Sequence, residues 1–236
     1  AMLDMREFGF DIPDIDDEDG EESGYYGDER ERNFNATHFD EYDEKRVEGR
    51  YDMPVLKPCD IIPPRLVGFN YARTSKDSEA WLHFYIDDYQ FERVWNSPYE
   101  NFEVMDRFAG TLTPNFSIYR DMPEAIKIWN TDRARLLGQM MQDRGMNVIP
   151  IVYWSDERSW DYCFDGLPSE ATLSVNNIRD DTKEAKELWD AGMDELIRRK
   201  NPQRILLSRT GRKENYDFKG IEVISFSNSV TDRMRE

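Results

Sequence analysis

The stretch VIPIVYW, residues 148–154, decides the fold. It is too short for a helix and apolar at every position, so neither face can meet water. A strand of that kind belongs in a sheet covered on both sides by helices, as parallel sheets are. On its amino side, residues 123–144 place Ala125, Ile128, Trp129, Leu136, Leu137, Met140 and Met141 on one broad helical face. Pro123 stands where a proline opens a helix, and Gly145 where a glycine closes one.

Working outward, the pattern repeats. Strands are expected at 81–88 (WLHFYIDD), 110–113, 172–175, 204–208 (RILLS) and 221–226, with helices at 91–108 and 183–200. Pro114 stops the second strand, and Asn201 and Pro202 close the last helix. Strands alternating with helices make parallel βαβ units. The expectation is an α/β domain of about six mainly parallel strands, as a partial (β/α) barrel or a Rossmann-like sheet, over residues 61–236.

Residues 1–60 have a different texture. They hold 20 acidic and 7 basic residues, against 29 and 24 in the rest of the chain. The run from Asp14 to Glu22 is nearly all acid. Such a block repels itself and rarely folds alone, which predicts an acidic, partly disordered N-terminal extension. Its aromatics, among them Phe8, Tyr25, Phe39 and Tyr42, are more than a solubilising tail needs and point to a partner-binding arm.

The formal charge of −18 disfavours direct binding to nucleic acid or anionic membranes, where affinity comes from Lys and Arg. It favours a basic partner, including a nucleic-acid-binding protein whose groove expects phosphates. No apolar run approaches the ~20 residues of a membrane span. The two cysteines, Cys59 and Cys163, form no metal or redox motif and suit a reducing compartment. The expected location is the host cytoplasm. Walker and GxGxxG loops are lacking, and one histidine in the domain argues against a Ser-His-Asp triad. His83, inside an apolar strand, reads as a core residue, and Cys163 as a buried, inert thiol.

Parallel α/β folds bind ligands at the carboxyl ends of their strands. Those ends supply Asp87 and Asp88, then Asn115, then Asp156, Glu157 and Arg158, then Asn176, then Ser208 and Arg209. Asp87, Asp88, Asp156 and Glu157 are the candidate acid/base groups, and the three aspartates are candidate ligands for Mg²⁺ or Mn²⁺. Arg120, with Tyr119 and Asp121 before the long helix, is a candidate anion clamp. Against this stands a plainer reading, since acids after strands also cap the next helix.

Four ordered motifs, WLHFYIDDYQFERVWNSP (81–98), TPNFSIYRDMPEAIKIWN (113–130), GMNVIPIVYW (145–154) and FDGLP (164–168), resemble the domain-of-unknown-function family numbered four-four-one-seven. Its members are uncharacterised proteins of bacteria, phages and mobile elements. The resemblance covers roughly residues 60–226 and implies a mobile-element setting but no activity. The family pattern often has an acid where this chain has Asn115, and Asn176-Asn177-Ile178 replaces a small-residue stretch. Two functions follow as expectations. One is a phage or mobile-element accessory protein that binds a host or phage protein, through the acidic arm. The alternative is a metal-assisted enzyme acting on a phosphate- or sugar-bearing small molecule at the strand ends.

Overall fold

In a computed structural model, described here for residues 36–176, 182–209 and 216–227, the chain is a mixed α/β protein. A two-stranded antiparallel hairpin, β1 (Val47–Glu48) with β2 (Met53–Pro54), comes first. Two four-stranded parallel sheets follow. The first holds β3 (Leu66–Gly68), β4 (Trp81–His83), β5 (Gly110–Leu112) and β6 (Val148–Ile149). The second holds β7 (Ile151–Val152), β8 (Thr172–Asn176), β9 (Arg204–Arg209) and β10 (Glu222–Ser227). Between the strands run α1 (Glu92–Asn96), α2 (Pro98–Met105), α3 (Glu124–Asp143) and α4 (Lys183–Lys200).

The strands lie in chain order within each sheet, so the order reversal that defines a doubly wound Rossmann sheet is missing among the described strands. The described strands do not close into a barrel either. The stretch 148–152 contributes to both sheets, and Pro150 is where it changes partner. Thr113 N donates to Ile149 O (3.1 Å), and Ile151 N donates to the Thr113 Oγ1 (2.8 Å). Proline has no N–H for the ladder, so a break there leaves the fewest groups unpaired. Ser174 N then donates to Pro150 O (2.9 Å) and opens the pairing of β7 with β8.

Three expectations shift. The strand expected at 81–88 ends at His83, so Asp87 and Asp88 lie in a following 3₁₀ turn. The helix expected at 91–108 breaks at Ser97, whose non-helical backbone precedes Pro98 at the first turn of α2. Asn101 Nδ2 braces the break by donating to Arg93 O (3.0 Å) and Ser97 O (2.8 Å), which also accept the backbone N–H groups of Ser97 and Asn101. Pro123 takes the N-cap of α3 rather than its first helical position. α4 begins on a Thr182 cap, whose Oγ1 accepts from Ala185 N (3.2 Å).

One compact unit begins at His38, upstream of the boundary drawn near residue 60. Met53 and Leu56 are buried, and Gln139 of α3 donates to Arg46 O (3.1 Å) and Val55 O (2.9 Å). The acidic run Asp14–Glu22 lies outside the described residues.

Alternation along the strands sorts the core. Leu82 and Val148 pack with α1–α3 in one outer cluster, and Leu173, Val175, Ile205 and Leu207 pack with α4 in another. Trp81, Leu112, Ile149, Ile151, Leu206, Ile224 and Phe226 form a third cluster on the opposite, inner face. That face reads apolar toward the amino ends of the strands. None of the described helices is long and apolar enough to cross a membrane.

Candidate functional site

The expected rim residues do stand at the carboxyl ends of the strands, but most are engaged by the protein itself. Asp88 accepts from Ser117 N and Ser117 Oγ, both at 2.9 Å, and so ties the turn after β4 to the loop after β5. Asp87, at the start of that turn, is exposed. Asn115 is partly buried. Tyr119 is 62% exposed and its hydroxyl lies 3.2 Å from Ser117 Oγ. Arg120 pairs with Glu184 at the start of α4 (2.7 Å). Asp121 and Glu157 face solvent.

A denser knot lies where α3 begins against the end of β7. Lys127, whose side chain is fully buried, pairs with Glu124 one helical turn back. It also donates to Ser155 Oγ (3.2 Å) and lies 3.7 Å from Asp156. Arg158 pairs with Asp156 (2.9 Å) and Glu124 (3.4 Å), and Tyr162 donates to Glu124 (3.1 Å). Burial alone would raise the Asp156 carboxyl, but the Arg158 hydrogen bond and the Lys127 charge outweigh it and hold it below the usual range. Asp156 N-caps its turn, accepting from Arg158 N (3.1 Å). In this structure it both caps that turn and pairs with Arg158. Lys127 escaped sequence reasoning because a lysine in the first turns of a polar helix carries no mark of burial.

Among the described residues, no group of three or more His, Cys, Asp and Glu side chains is placed to hold a metal ion. A cleft of about 120 Å³ opens at the other end, around Gly110, Thr111 and Asn147 at the amino ends of β5 and β6. It falls short of the roughly 300 Å³ at which ligand pockets begin, and it carries none of the candidate residues.

The inner face turns polar at the carboxyl ends. His83 lies there, 5% exposed, with Nδ1 accepting from Tyr85 N (3.2 Å). Burial pushes its imidazole down to about 4, so it is uncharged at neutral pH. The Tyr85 hydroxyl spans the interior to Ser174 Oγ (2.7 Å), and Ser174 Oγ donates on to Leu206 O (3.2 Å). Burial pushes the Tyr85 and Tyr153 phenols up, which keeps both protonated. Asn176 and Ser208 sit in register on β8 and β9. The side chain of Arg209 lies outside the described residues. Of this inner set Asn176 and Ser208 were expected, as strand-end residues; the others read as core, as polar residues inside apolar strands do. The one available signal was alternation, with His83 and Tyr85 in phase with Trp81, and Ser174 and Asn176 in phase with each other.

The chain belongs to the family described as Domain of unknown function (DUF4417), whose model matches residues 45–227. It is similar to the Gene 1 protein of Mycobacterium phage D29, with 36% identity over 191 residues, covering 79% of this chain and 70% of that protein. The Gene 1 protein of Mycobacterium phage L5 is 38% identical over 162 residues, covering 66% of this chain and 70% of that protein. No solved structure matches the chain. The family is the one its four motifs resemble, and the relatives mark it as phage-associated.

Proposed function

We propose that this phage-family protein is an accessory protein that binds a basic partner, from host or phage, at the strand-end rim and through its acidic arm. The observation that carries the reading is an imbalance of charge on the rim. Its cations are used internally, Arg120 by Glu184, Arg158 by Asp156 and Glu124, and Lys127 by burial. The acids Asp87, Asp121 and Glu157 are left facing water. Beside them stand exposed aromatics, Tyr89 (81%) and Tyr119 (62%). Rigid amphipathic rings next to unneutralised acids suit Lys- and Arg-bearing surfaces. A net charge of −18 steers such a partner from a distance, and a nucleic-acid-binding protein is the kind that expects phosphates there. The same internal pairings leave the metal-assisted alternative without a gathered carboxylate set. The setting is the host cytoplasm.

The test is native mass spectrometry of the full chain purified from infected cells. A stoichiometric basic protein is expected with the wild type and with Glu187→Lys on α4. It is expected to be lost when Asp87, Asp121 and Glu157 are changed together to Lys. A partner kept by that triple variant removes the rim from the interface. If deletion of residues 1–35 also leaves the partner in place, the whole proposal fails.

A further inference from the structure

Away from the rim, three arginines gather on the outer side of the first sheet. After β3 the chain makes a 3₁₀ turn, Phe69–Tyr71, and runs on through Ala72 and Arg73. Ala72 N donates to Phe69 O (2.9 Å), and Thr74 N and Ser75 N donate to Tyr71 O (3.0 and 2.8 Å), so backbone bonds hold the loop in shape. Arg107, just after α2, braces it by donating from Nη2 to Ala72 O. The Arg93 guanidinium, carried on α1, lies over the Phe69 ring, 4.8 Å from its centroid. The loop thereby brings Arg73 near enough to Arg93 for one charge to act on the other.

Three features of this pair define what it takes. First, the acids nearest in sequence to the three arginines serve other partners. Asp77 pairs with Arg65 (2.7 Å), Glu92 with Arg133 (2.5 Å) and Asp106 with Arg144 (2.9 Å). Among the described residues, neither Arg73 nor Arg93 pairs with a carboxylate, in a chain that has 49 acids for 31 bases. Second, Arg93 is already partly out of water. Its Nε is buried and has no hydrogen-bond partner among the described residues. Burial and the Arg73 charge both hold the guanidinium below its ordinary value, a cost that a counter-charge offsets. Third, the pair is open to solvent. Arg73 is exposed and Arg93 half-buried, so an anion meets both at the surface and needs no enclosed cavity. Two guanidinium groups call for two negative charges at one point. A phosphate monoester supplies them at neutral pH, on oxygens that match the guanidinium fork. A carboxylate brings only one charge.

We propose that Arg73 and Arg93 clamp the phosphoryl group of a small phosphate monoester, with Arg107 holding the loop in place. A nucleic-acid strand also carries phosphate, but with one charge on each, and it would bring a run of them toward a chain of net charge −18. The inference is independent of the docking role of the rim.

The test is isothermal titration calorimetry on the full chain with AMP, adenosine and an unphosphorylated single-stranded oligonucleotide, each alone. AMP is expected to saturate with a Kd of about 1 mM or tighter. Orthophosphate should displace it, and adenosine and the oligonucleotide should bind at least about tenfold more weakly. Arg73→Ala and Arg93→Met should each weaken AMP by about tenfold or more. Arg93→Lys, which keeps the charge and loses the fork, should recover only part of that loss. Arg198→Ala removes the same charge from α4 and should change nothing. Circular dichroism identifies any variant that fails to fold, and Arg73→Gln then replaces it, with the same expected weakening. The proposal is overturned if AMP does not saturate, if orthophosphate fails to displace it, if adenosine or the oligonucleotide binds as tightly, or if the folded Arg73 and Arg93 variants keep wild-type affinity.

Discussion

The two long helices have similar length and opposite character. α4 buries Ala185, Trp189, Gly192, Met193, Leu196 and Lys200 and turns most of its remaining charges to water, with Asp190 and Glu195 part-buried. α3 buries Lys127, Asp132, Arg133, Arg135 and Gln139 together with its apolar residues. The difference comes from position. α4 lies over one face of the second sheet. α3 meets the outer cluster of the first sheet, the β1–β2 hairpin side and the loop after β7, so few of its directions lead to solvent. Its polar side chains must therefore find partners in the protein. Arg135 donates to Cys163 O (2.8 Å), Asp165 O (3.1 Å) and Ile151 O (3.4 Å), and so binds the FDGLP turn and β7 to the helix. Arg133 stacks 3.6 Å from the Phe116 ring centroid and pairs with Glu92 (2.5 Å). Charged residues thus mostly mark water on α4, where the buried Lys200 paired with Glu48 is the exception, and anchors on α3.

The contrast can be broken most directly at Arg135. Arg135→Ala leaves three carbonyls unpaired and a hole in the interior, and should cost about 3–5 kcal/mol in chemical denaturation. A loss below about 1 kcal/mol would reduce α3 to an ordinary amphipathic helix. Asp132 sharpens the point through pH. Burial raises its carboxyl from 3.8 to about 6, and the Tyr42 hydroxyl donates to it. A raised folded value means its contribution is complete below the unfolded value and is lost as pH rises through about 6. This group alone should remove on the order of 2 kcal/mol between about pH 4 and 7. Asp132→Asn keeps an acceptor for Tyr42 and should flatten that part of the stability–pH profile, leaving the protein at least as stable above pH 7. An unchanged slope would mean Asp132 is solvated. The smallest effect belongs to α4. Arg198 is exposed and pairs with Glu195 (2.7 Å), so Arg198→Ala should leave the denaturation midpoint essentially where it was. A loss approaching that of Arg135 would erase the distinction between the helices.

Sequence patterning reached what depends on periodicity. The helix 183–200 and the strands near 148–152, 172–176, 204–209 and 222–227 stand where apolar spacing put them. β3, of three residues after Pro63 and Pro64, and the two-residue strands of the hairpin are too short to show a period. The break at Ser97 depends on one Ser-Pro step inside a helical rhythm. The site was legible as a place, the carboxyl ends, and less so as a set of residues. Which acids are neutralised depends on partners 29 to 64 positions away in sequence, as with Asp88 and Ser117 or Arg120 and Glu184. Spacing along the chain carries no record of such pairs.

The chain-order winding of the sheets has a consequence for how the protein is made. From β3 onward each new strand pairs with the strand synthesised just before it, or continues it across Pro150. A nascent chain emerging from the ribosome can therefore build this sheet by addition at one growing edge, without waiting for a distant segment to return. Such a route keeps loop closures short and limits the unpaired edge exposed to other chains at any moment.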